Sequence, residues 1–426
     1  MRPREWWRRL RARALRRSAR REAAAGREHH ALLLARRAML CCPRTLPASC
    51  RLAAEILRQE AATSLGLRAA AALYRFVLAH ADESSELRAR ARDRLILLAC
   101  QQREEGLATA LLLDAGYEYR LSPEILSYPL RTPEPHALAK SPRAHAHVVD
   151  GVLPAGMLRA LQRALAPRSP FWRAHGYRCG HSPFFSYVHS LSRPPRNGLD
   201  RVLALLHRQA VAAFPAVAHA TQAEWWAHCR PHATGHQLHY DSDDEGRGGV
   251  RNPTVSSALY LSEAVGGPTL VTSQRLSHPR LATHGWTATP RVNRVLYFDG
   301  ALLHGVVPGR GPVGAAASPR GTRRISLMVA FWPSIRERSA ARPAAARPFP
   351  YPPAEARSAE ASASASWASL FDWPESSDGE PTPAVASASE LRYVEPIWLP
   401  VDQEDGAARA LPVGMPNYDA CFQGFS

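Results

Sequence analysis

The periodicity of hydrophobic residues predicts helices in the first third of the chain. Between about residues 51 and 128, apolar side chains recur at three- and four-residue steps, which is the period of amphipathic helices. Asp82 and the serine pair that follows it interrupt this pattern as a break and a cap. A further helix is predicted at 103–113, with Gly116 suited to its C-cap. The chain shows no 34-residue self-similarity, so we expect a small helical module rather than a repeat protein.

The pattern changes after about residue 147. A short strand and a turn lead into an amphipathic helix with Leu158 and Leu165, and a second helix is predicted at 203–214. Beyond it, short strand-like segments alternate with turns that are rich in Gly, Pro and Asn. These strands are predicted at 236–240, 256–262, 269–273, 294–298, 304–307 and 324–332. Many short strands with regular breaks indicate a sandwich or a barrel rather than a parallel α/β sheet.

Shifts in composition divide the chain into five regions. We expect an Arg-rich segment at 1–45, an α-helical module at 46–128, a proline-rich linker at 129–146, a β-rich domain at 147–336 and a low-complexity tail at 337–426. The tail carries 13 acidic and 6 basic residues, which predicts disorder. Three aromatic motifs interrupt it, namely FDWP, YVEPIWLPV and YDACFQGFS. They could dock onto the folded part of the chain or bind a partner.

The net charge of +17 would ordinarily indicate an anionic partner. However, Lys140 is the single lysine among 54 basic residues, and this skew indicates that much of the arginine excess is compositional. No RNA- or DNA-binding motif is visible, so we do not expect nucleic acid as a partner. The basic start at 1–45 leaves three interpretations open, which are an organelle transit peptide, a basic cluster for nuclear import or an anionic surface, and a solvated tail.

The cysteines and the hydropathy bear on the compartment. Seven cysteines without paired metal-site spacing, and odd in number, favour a reducing environment. No run of about 18 apolar residues is present, so we expect no transmembrane segment. No apolar segment follows the basic start, so we expect no secretory signal. We therefore predict an intracellular protein, located in a plastid or mitochondrion if the start is a transit peptide, and otherwise in the cytoplasm or nucleus.

Candidate chemistry centres on the segment GHQLHYD at 235–241. In a strand, side chains two residues apart point to the same face, so His239 and Asp241 could bind one metal ion. The spacing alone is weak, because 18 His and 14 Asp in 426 residues predict ~0.6 such pairs by chance. A second pair, His80 and Asp82, lies in a predicted helix, where side chains at i and i+2 diverge.

Three further segments follow this pair in order. SSALYLSEAVGGPTLV predicts two strands around a Gly-Gly turn, and RVLYFDGALLHGV predicts a strand and a tight turn before His304. The last segment, RRISLMVAFW, alternates as a strand. Arg324 and Ser326 lie on one of its faces, whereas Ile325 and Leu327 lie on the other.

Together, these motifs resemble the 2-oxoglutarate/Fe(II)-dependent dioxygenases, especially the prolyl 4-hydroxylase-like branch, over roughly residues 147–333. The resemblance implies a mainly β fold with α-helices, in which a double-stranded β-helix (jelly roll) catalytic domain follows the helical module. It also implies an enzyme that uses Fe(II), 2-oxoglutarate and O2, with ascorbate as an accessory reductant. Such an enzyme hydroxylates its substrate and releases succinate and CO2.

The resemblance assigns roles to five residues. His239, Asp241 and His304 would be the iron ligands and the catalytic centre. Arg324 would bind the distal carboxylate of 2-oxoglutarate, and Ser326 would donate an accessory hydrogen bond. The chemistry fits, because a planar guanidinium can bond a carboxylate through two parallel N–H groups, a geometry that lysine lacks.

One departure from the family leaves the arginine open. The gap of 20 residues between His304 and Arg324 is longer than usual in the family, and it contains Arg310 and Arg320. A neighbouring arginine is therefore the alternative for co-substrate binding. Strand parity favours Arg324 over Arg323, because Arg323 would lie with the apolar row.

Other residues near the pair also have two interpretations. His236 could line the pocket or could be a structural histidine, and Tyr260 could contact 2-oxoglutarate or could serve only in packing. The alternatives for the distal metal ligand are His232, His278 and His284, none of which follows a Phe-Asp-Gly turn.

We therefore predict an oxidoreductase of the dioxygenase class with an unidentified protein or small-molecule substrate. Resemblance to prolyl hydroxylases makes a peptidyl residue one candidate for that substrate. Two alternatives belong to other functional classes. The first is a non-catalytic jelly-roll scaffold that acts through the helical module and the aromatic motifs. The second is a basic protein that binds nucleic acid or a membrane surface through residues 1–45.

Overall fold

The structure is a computed structural model. It describes residues 3–24, 27–59, 64–129, 145–177, 184–243, 250–278, 280–310, 323–338, 346–351, 367–374 and 391–401. Most of the predicted linker at 129–146 and the motif YDACFQGFS lie outside these residues.

Six helices form the N-terminal part of the structure, and the helices predicted between 51 and 128 are present. The helices are α1 (Pro3–Ala24), α2 (Glu28–Cys41), α3 (Leu46–Gln59), α4 (Ser64–His80), α5 (Glu86–Gln102) and α6 (Glu105–Asp114). Ser85 is the N-cap of α5 and accepts a hydrogen bond from the backbone N–H of Arg88. Gly116 follows α6 with a φ of 77°, the left-handed conformation expected of a glycine after a helix.

The Arg-rich segment forms α1 and α2, which pack on the rest of the module. Small buried residues line the contact, because Ala12 and Ala19 of α1 and Ala35 of α2 have no exposed surface. These helices share an apolar cluster with Leu52 of α3. Within the described residues, the basic start is therefore part of a helical layer rather than a solvated tail.

The β-rich part begins after residue 118 and contains the remaining elements. The strands are β1 (Tyr119–Leu121), β2 (Ala146–Asp150), β3 (Tyr187–Ser190), β4 (Gln222–Pro231), β5 (His236–His239), β6 (Val255–Tyr260), β7 (Thr269–Arg275), β8 (Gly285–Ala288), β9 (Arg294–Asp299), β10 (Leu302–Val306), β11 (Arg323–Trp332), β12 (Arg347–Pro348), β13 (Leu391–Val394) and β14 (Trp398–Pro400). The helices are α7 (Pro123–Leu126), α8 (Ala155–Ala164), α9 (Pro170–Ala174) and α10 (Gly198–Ala213).

Two large sheets form the β-rich domain, and their strand order is that of a double-stranded β-helix. One sheet has seven strands in the order β12-β3-β4-β11-β6-β9-β2, and the other has five in the order β13-β8-β7-β10-β5. Strands β4 to β11 pass repeatedly from one sheet to the other, and every pair among these eight is antiparallel. Helices flank this double sheet, so the predicted fold class is confirmed.

Strand β4 is the main element that the hydrophobic pattern does not reveal. Its ten residues are buried or half-buried throughout, so polar and apolar positions do not alternate. The reason is that both faces are covered, one by helices and the other by the opposite sheet. A strand buried on both sides loses the period of two on which sequence prediction relies.

Three apolar layers hold the domain together. Helices α8 and α10 cover the outer face of the seven-stranded sheet, where Leu203 and Leu327 belong to one core cluster. A second cluster, which includes Trp286 and Phe298, lies between the sheets. A third cluster joins α5 to the outer face of the five-stranded sheet and includes Leu303 of β10.

Hydrogen bonds fasten the helical module to the loops beside the five-stranded sheet. The buried Arg58 of α3 donates from Nη1 to the carbonyl oxygen of Ala233, over 2.8 Å. Gln101 of α5 donates to the carbonyl oxygen of Pro308, over 3.0 Å. The module therefore supports the turn before β5 and the segment after β10.

Two of the three aromatic motifs in the tail dock onto the folded chain. Within YVEPIWLPV, β13 extends the five-stranded sheet by pairing with β8, and β14 pairs with β1. Within FDWP, Phe371 is fully buried in the cluster on the seven-stranded sheet. Trp373 lies so close to Gly198 that a Cβ there would come within 2.1 Å of its ring.

Among the described residues, no helix is both long enough and apolar enough to span a membrane. Cys41, Cys42 and Cys50 are free thiols.

We predict that Trp398→Ala lowers the free energy of unfolding by about 3–5 kcal/mol, the usual cost of truncating a buried aromatic residue. Trp398 is 3% exposed and packs in the cluster that joins α5 to the five-stranded sheet. The measurement is urea denaturation of the full chain. Trp7→Ala is the matched control, because Trp7 is 65% exposed and should change stability little. Equal effects of the two substitutions would contradict docking of the tail.

Candidate active site

Two paired strands bring together the histidines at 239 and 304. In the antiparallel pair of β5 and β10, His304 lies directly opposite His239. Side chains of directly opposed residues point to the same side of the sheet, and here the two ring centroids are 4.3 Å apart. The register shifts by one residue before the Val306–His236 pair, so β5 contains a bulge next to this site.

Asp241 follows β5 and completes the group. Its Oδ1 lies 3.7 Å from Nε2 of His239 and 3.7 Å from Nε2 of His304. Its other oxygen, Oδ2, accepts a hydrogen bond of 2.6 Å from the hydroxyl of Ser256. The Asn252 side chain donates to the Asp241 backbone oxygen, also over 2.6 Å. These contacts orient the carboxylate with Oδ1 towards the two imidazoles.

Backbone carbonyls fix the tautomer of both histidines. Nδ1 of His239 lies 2.8 Å from the oxygen of Gln237, and Nδ1 of His304 lies 3.0 Å from the oxygen of Leu302. A carbonyl can only accept, so each Nδ1 carries a proton, and in a neutral imidazole Nε2 then presents a lone pair. Metal-binding histidines commonly donate from the other ring nitrogen to a carbonyl or carboxylate in this way, which fixes the orientation of the ring.

Two observations test whether a metal ion fits here. The buried Nε2 of His304 has no hydrogen-bond partner in the described part of the chain. A polar atom in a protein core normally has such a partner. One ligand atom from each of His239, Asp241 and His304 lies within 4.8 Å of the others. Two neutral imidazoles and one carboxylate on one side are the donor set of non-haem Fe(II) centres. The residues fit such an ion.

Burial keeps the neighbouring imidazoles neutral. Desolvation lowers the pKa of His239 to about 4, an effect to which the proximity of His304 adds and which Asp241 partly offsets. Burial also lowers the pKa of His236 and of His228 well below the ordinary histidine value. Neutral imidazoles keep the lone pairs that coordination needs.

The other candidate histidines lie elsewhere. Nδ1 of His232 accepts a hydrogen bond of 3.0 Å from the N–H of Gly266, which is a structural role. His278 is exposed, and His284 packs beside Trp286. His236 stacks on His239 with ring centroids 4.5 Å apart and lines the cleft.

A cleft with about 500 Å³ of empty space, part of it open to solvent, lies beside the triad. Two adjacent antiparallel strands supply one wall of the cleft, where their side chains form two rows of directly opposed residues. The rows are Trp226, His228 and Arg230 on β4, and Met328, Ser326 and Arg324 on β11. The alternation predicted for the last strand is therefore present, with Arg324 and Ser326 in the cleft wall.

Arg324 is 4% exposed, and its hydrogen bonds hold it at one end of the cleft. Nη1 donates to the oxygen of Gly267 over 2.6 Å, and Nη2 donates to the hydroxyl of Thr269 over 3.0 Å. The Gly-Gly turn allows the backbone to pass close to Arg324 and to the segment after β10. A Cβ at Gly266, where φ is +83°, would come within 2.7 Å of Arg324 Cδ, and a Cβ at Gly267 would come within 2.2 Å of the backbone oxygen of Val307.

No carboxylate in the described chain pairs with Arg324. Burial lowers the pKa of its guanidinium. Its neighbours are Tyr260, whose ring centroid lies 5.3 Å from the guanidinium carbon, and Arg230, its directly opposed partner on β4. Nη1 of Arg230 donates to the oxygen of Gly235 over 2.8 Å, whereas its buried Nε has no partner among the described residues. Two adjacent guanidiniums that no carboxylate of the described residues neutralises make this end of the cleft suited to an anion.

Sequence reasoning missed Trp226, His228 and Arg230, the row that β4 contributes. The available signal was their spacing of two, which places them on one face of a strand. Tyr260 is buried beside Arg324 and donates to the hydroxyl of Thr269 over 2.8 Å. It therefore serves in packing and also lies near the arginine end of the cleft. Arg323 is half-buried and does not line the cleft.

No family model matches the chain, and no curated protein matches it. Similar solved structures include a prolyl-4-hydroxylase from Pseudomonas putida, with 18% identity over 47% of this chain and 93% of that chain, and a TM-score of 0.29. HygX from Streptomyces hygroscopicus, with nickel and 2-oxoglutarate bound, has 14% identity over 48% and 92%, and a TM-score of 0.27. The α-ketoglutarate-dependent carbocyclase SnoK from nogalamycin biosynthesis has 10% identity over 51% and 94%, and a TM-score of 0.30. Similarities at this level assign no function by themselves.

We predict that Ser256→Ala weakens binding of Co(II), used as a stable probe ion, by about 10–100-fold, because Asp241 loses the hydrogen bond that orients it. Isothermal titration calorimetry on the full chain measures the affinity. Ser257→Ala is the matched control, since the Ser257 hydroxyl donates instead to the oxygen of Val329. Both serines are 1% exposed, so equal losses would attribute the effect to packing and contradict the assignment.

Proposed function

We propose that this chain is a 2-oxoglutarate- and Fe(II)-dependent dioxygenase in which His239, Asp241 and His304 bind the iron. The observation that supports it best is the unpartnered Nε2 of His304, aimed at a carboxylate oxygen that also lies 3.7 Å from His239 Nε2. A structural cluster would satisfy that nitrogen with a hydrogen bond, whereas a metal site leaves it free for the ion.

The three side chains would hold the metal from one side only. Bound Fe(II) would supply the redox chemistry by which O2 and 2-oxoglutarate hydroxylate a substrate, with release of succinate and CO2. The protein would fix the ligands, keep His239 neutral through burial, which lowers its pKa, and orient the bound groups. The backbone carbonyls behind His239 and His304 and the Ser256 hydroxyl behind Asp241 perform the first task.

Arg324 would bind the distal carboxylate of 2-oxoglutarate. It is buried, lines the same cleft as the triad and has no acidic partner in the described chain. Ser326 lies two residues along the same face, between Arg324 and Met328, where its hydroxyl could donate to the co-substrate. Arg230 would add a second positive charge at that end, a role that the sequence did not reveal.

The substrate would enter past the apolar part of the cleft wall. Trp226 and Met328 form the pair of the two rows farthest from the arginines, and the exposed Phe184 packs edge-on against Trp226 at 5.8 Å. An apolar mouth with one aromatic platform suits the side chain of a peptidyl residue or a small molecule with an apolar face.

The test is anaerobic addition of Fe(II) and 2-oxoglutarate to the full chain. We expect a visible charge-transfer band, and we expect succinate once O2 is admitted, even without the prime substrate. His239→Ala should abolish both signals because one ligand is lost. His278→Ala is the control, since His278 is exposed and lies away from the triad.

Absence of both signals in the unmodified chain would favour the non-catalytic scaffold instead. Retention of both signals in the His239→Ala variant would refute the ligand assignment.

We further predict that Arg324→Lys weakens 2-oxoglutarate binding by roughly tenfold or more, because a lysine cannot make two parallel N–H bonds to a carboxylate. Affinity for Co(II) should not change, since Arg324 does not contact the triad. Titration of the charge-transfer band with 2-oxoglutarate measures the first quantity and calorimetry the second.

Arg323→Lys serves as the control on the opposite face of the same strand, and it should leave both affinities unchanged. A loss that is as large for Arg323→Lys, or a loss of Co(II) binding in Arg324→Lys, would refute the specific role of Arg324.

A further inference from the structure

We propose that the exposed face of α1, together with the end of α2, is a docking surface for an anionic lipid membrane. This surface is independent of the candidate active site. It consists of an apolar tip and a basic flank, both held in place by the helical module.

The packing of α1 fixes which of its residues face outward. Ala12 and Ala19 are fully buried, and Leu15 packs against the same cluster as Ala31 of α2. Arg16 donates from Nη1 to the hydroxyl of Ser49, over 3.3 Å. Because α1 is already folded and packed along this side, its exposed side is preorganised and does not need to fold on binding.

The tip consists of large apolar side chains that are exposed to water. Trp6 is 45% exposed, Trp7 is 65% exposed and Leu10 is 38% exposed. Leu40, near the end of α2, is 80% exposed. The start of α1 lies beside that end of α2, because Glu5 forms an ion pair of 3.0 Å with Arg44 in the turn that follows α2. Large apolar side chains exposed together indicate an interaction surface.

The flank is strongly basic. Glu5 and Glu22 are the only acidic residues of α1, and both are engaged in ion pairs, Glu5 with Arg44 and Glu22 with Arg27 over 2.5 Å. The arginines of α1 that remain exposed are Arg4, Arg8, Arg11, Arg13, Arg17, Arg20 and Arg21. Each such charge near an anionic leaflet favours membrane partitioning by roughly fivefold.

Tip and flank together favour a membrane over a nucleic acid. Tryptophan is enriched at the boundary between headgroups and hydrocarbon, and leucine gains from contact with acyl chains. Trp6 and Trp7 meet edge-on, with an interplanar angle of 76°, so they do not form a stack with the open parallel faces on which bases lie. Phosphates could attract the arginines, but they would leave the apolar tip in water.

The experiment is flotation of the full chain with vesicles of phosphatidylcholine, with and without phosphatidylserine. We expect binding to the phosphatidylserine vesicles that weakens as salt increases, and little binding to phosphatidylcholine alone. The double substitution Trp6→Ser and Trp7→Ser should lower partitioning by roughly tenfold or more, because it removes the apolar anchor and leaves the charge unchanged. The triple substitution of Arg8, Arg11 and Arg17 by Gln should weaken binding comparably.

The matched control replaces Arg163, Arg168 and Arg173 by Gln. These residues are exposed on or beside α8 and α9, so the net charge changes equally at a different surface. Thermal denaturation checks that every variant remains folded. Failure of the unmodified chain to bind the anionic vesicles, or equal loss in the control triple variant, would overturn the proposal. Binding to duplex DNA without binding to vesicles would assign the surface to nucleic acid and would equally overturn it.

Discussion

The pairing of β5 with β10 is the constraint on which the candidate site depends. These strands are separated in sequence by more than 60 residues, yet their register places His239 directly opposite His304. A slip by one residue would turn one imidazole to the other face of the sheet. Asp241 then needs only to follow β5 for its Oδ1 to lie 3.7 Å from Nε2 of each histidine. The geometry of the candidate metal site is thus a consequence of strand register.

Strand pairing also explains why two arginines lie next to the candidate metal ligands. Strands β4 and β11 align Arg230 with Arg324, and the Gly-Gly turn allows the chain to approach Arg324 closely. Two buried or half-buried cations side by side are unfavourable unless a negative charge is shared between them. Within the described chain, backbone oxygens and hydroxyls are their partners, and these do not neutralise charge. A ligand carboxylate would do so.

The helical module and the docked tail support the sheet that carries the histidines. Arg58 holds the turn before β5 through Ala233, and Gln101 holds the segment after β10 through Pro308. The tail adds β13 to the edge of that sheet, and Trp398 packs into the cluster beneath it. The strands of the site are therefore braced from outside by segments distant in sequence. This bracing favours the rigid arrangement of ligands that a metal site requires.

The sequence by itself determined the local features. Helix periods, the Ser85 cap, six strand segments and the parity of Arg324 and Ser326 depend on neighbouring residues alone, and each is present in the structure. The role of those side chains as ligands stays a hypothesis. Only the tertiary structure decided that His239 and His304 meet, that β4 adds Arg230 to the cleft and that α1 packs rather than trails in solvent. Pairing between distant strands, and burial of a strand on both faces, leave no periodic mark in the sequence, because they depend on partners that lie far along the chain.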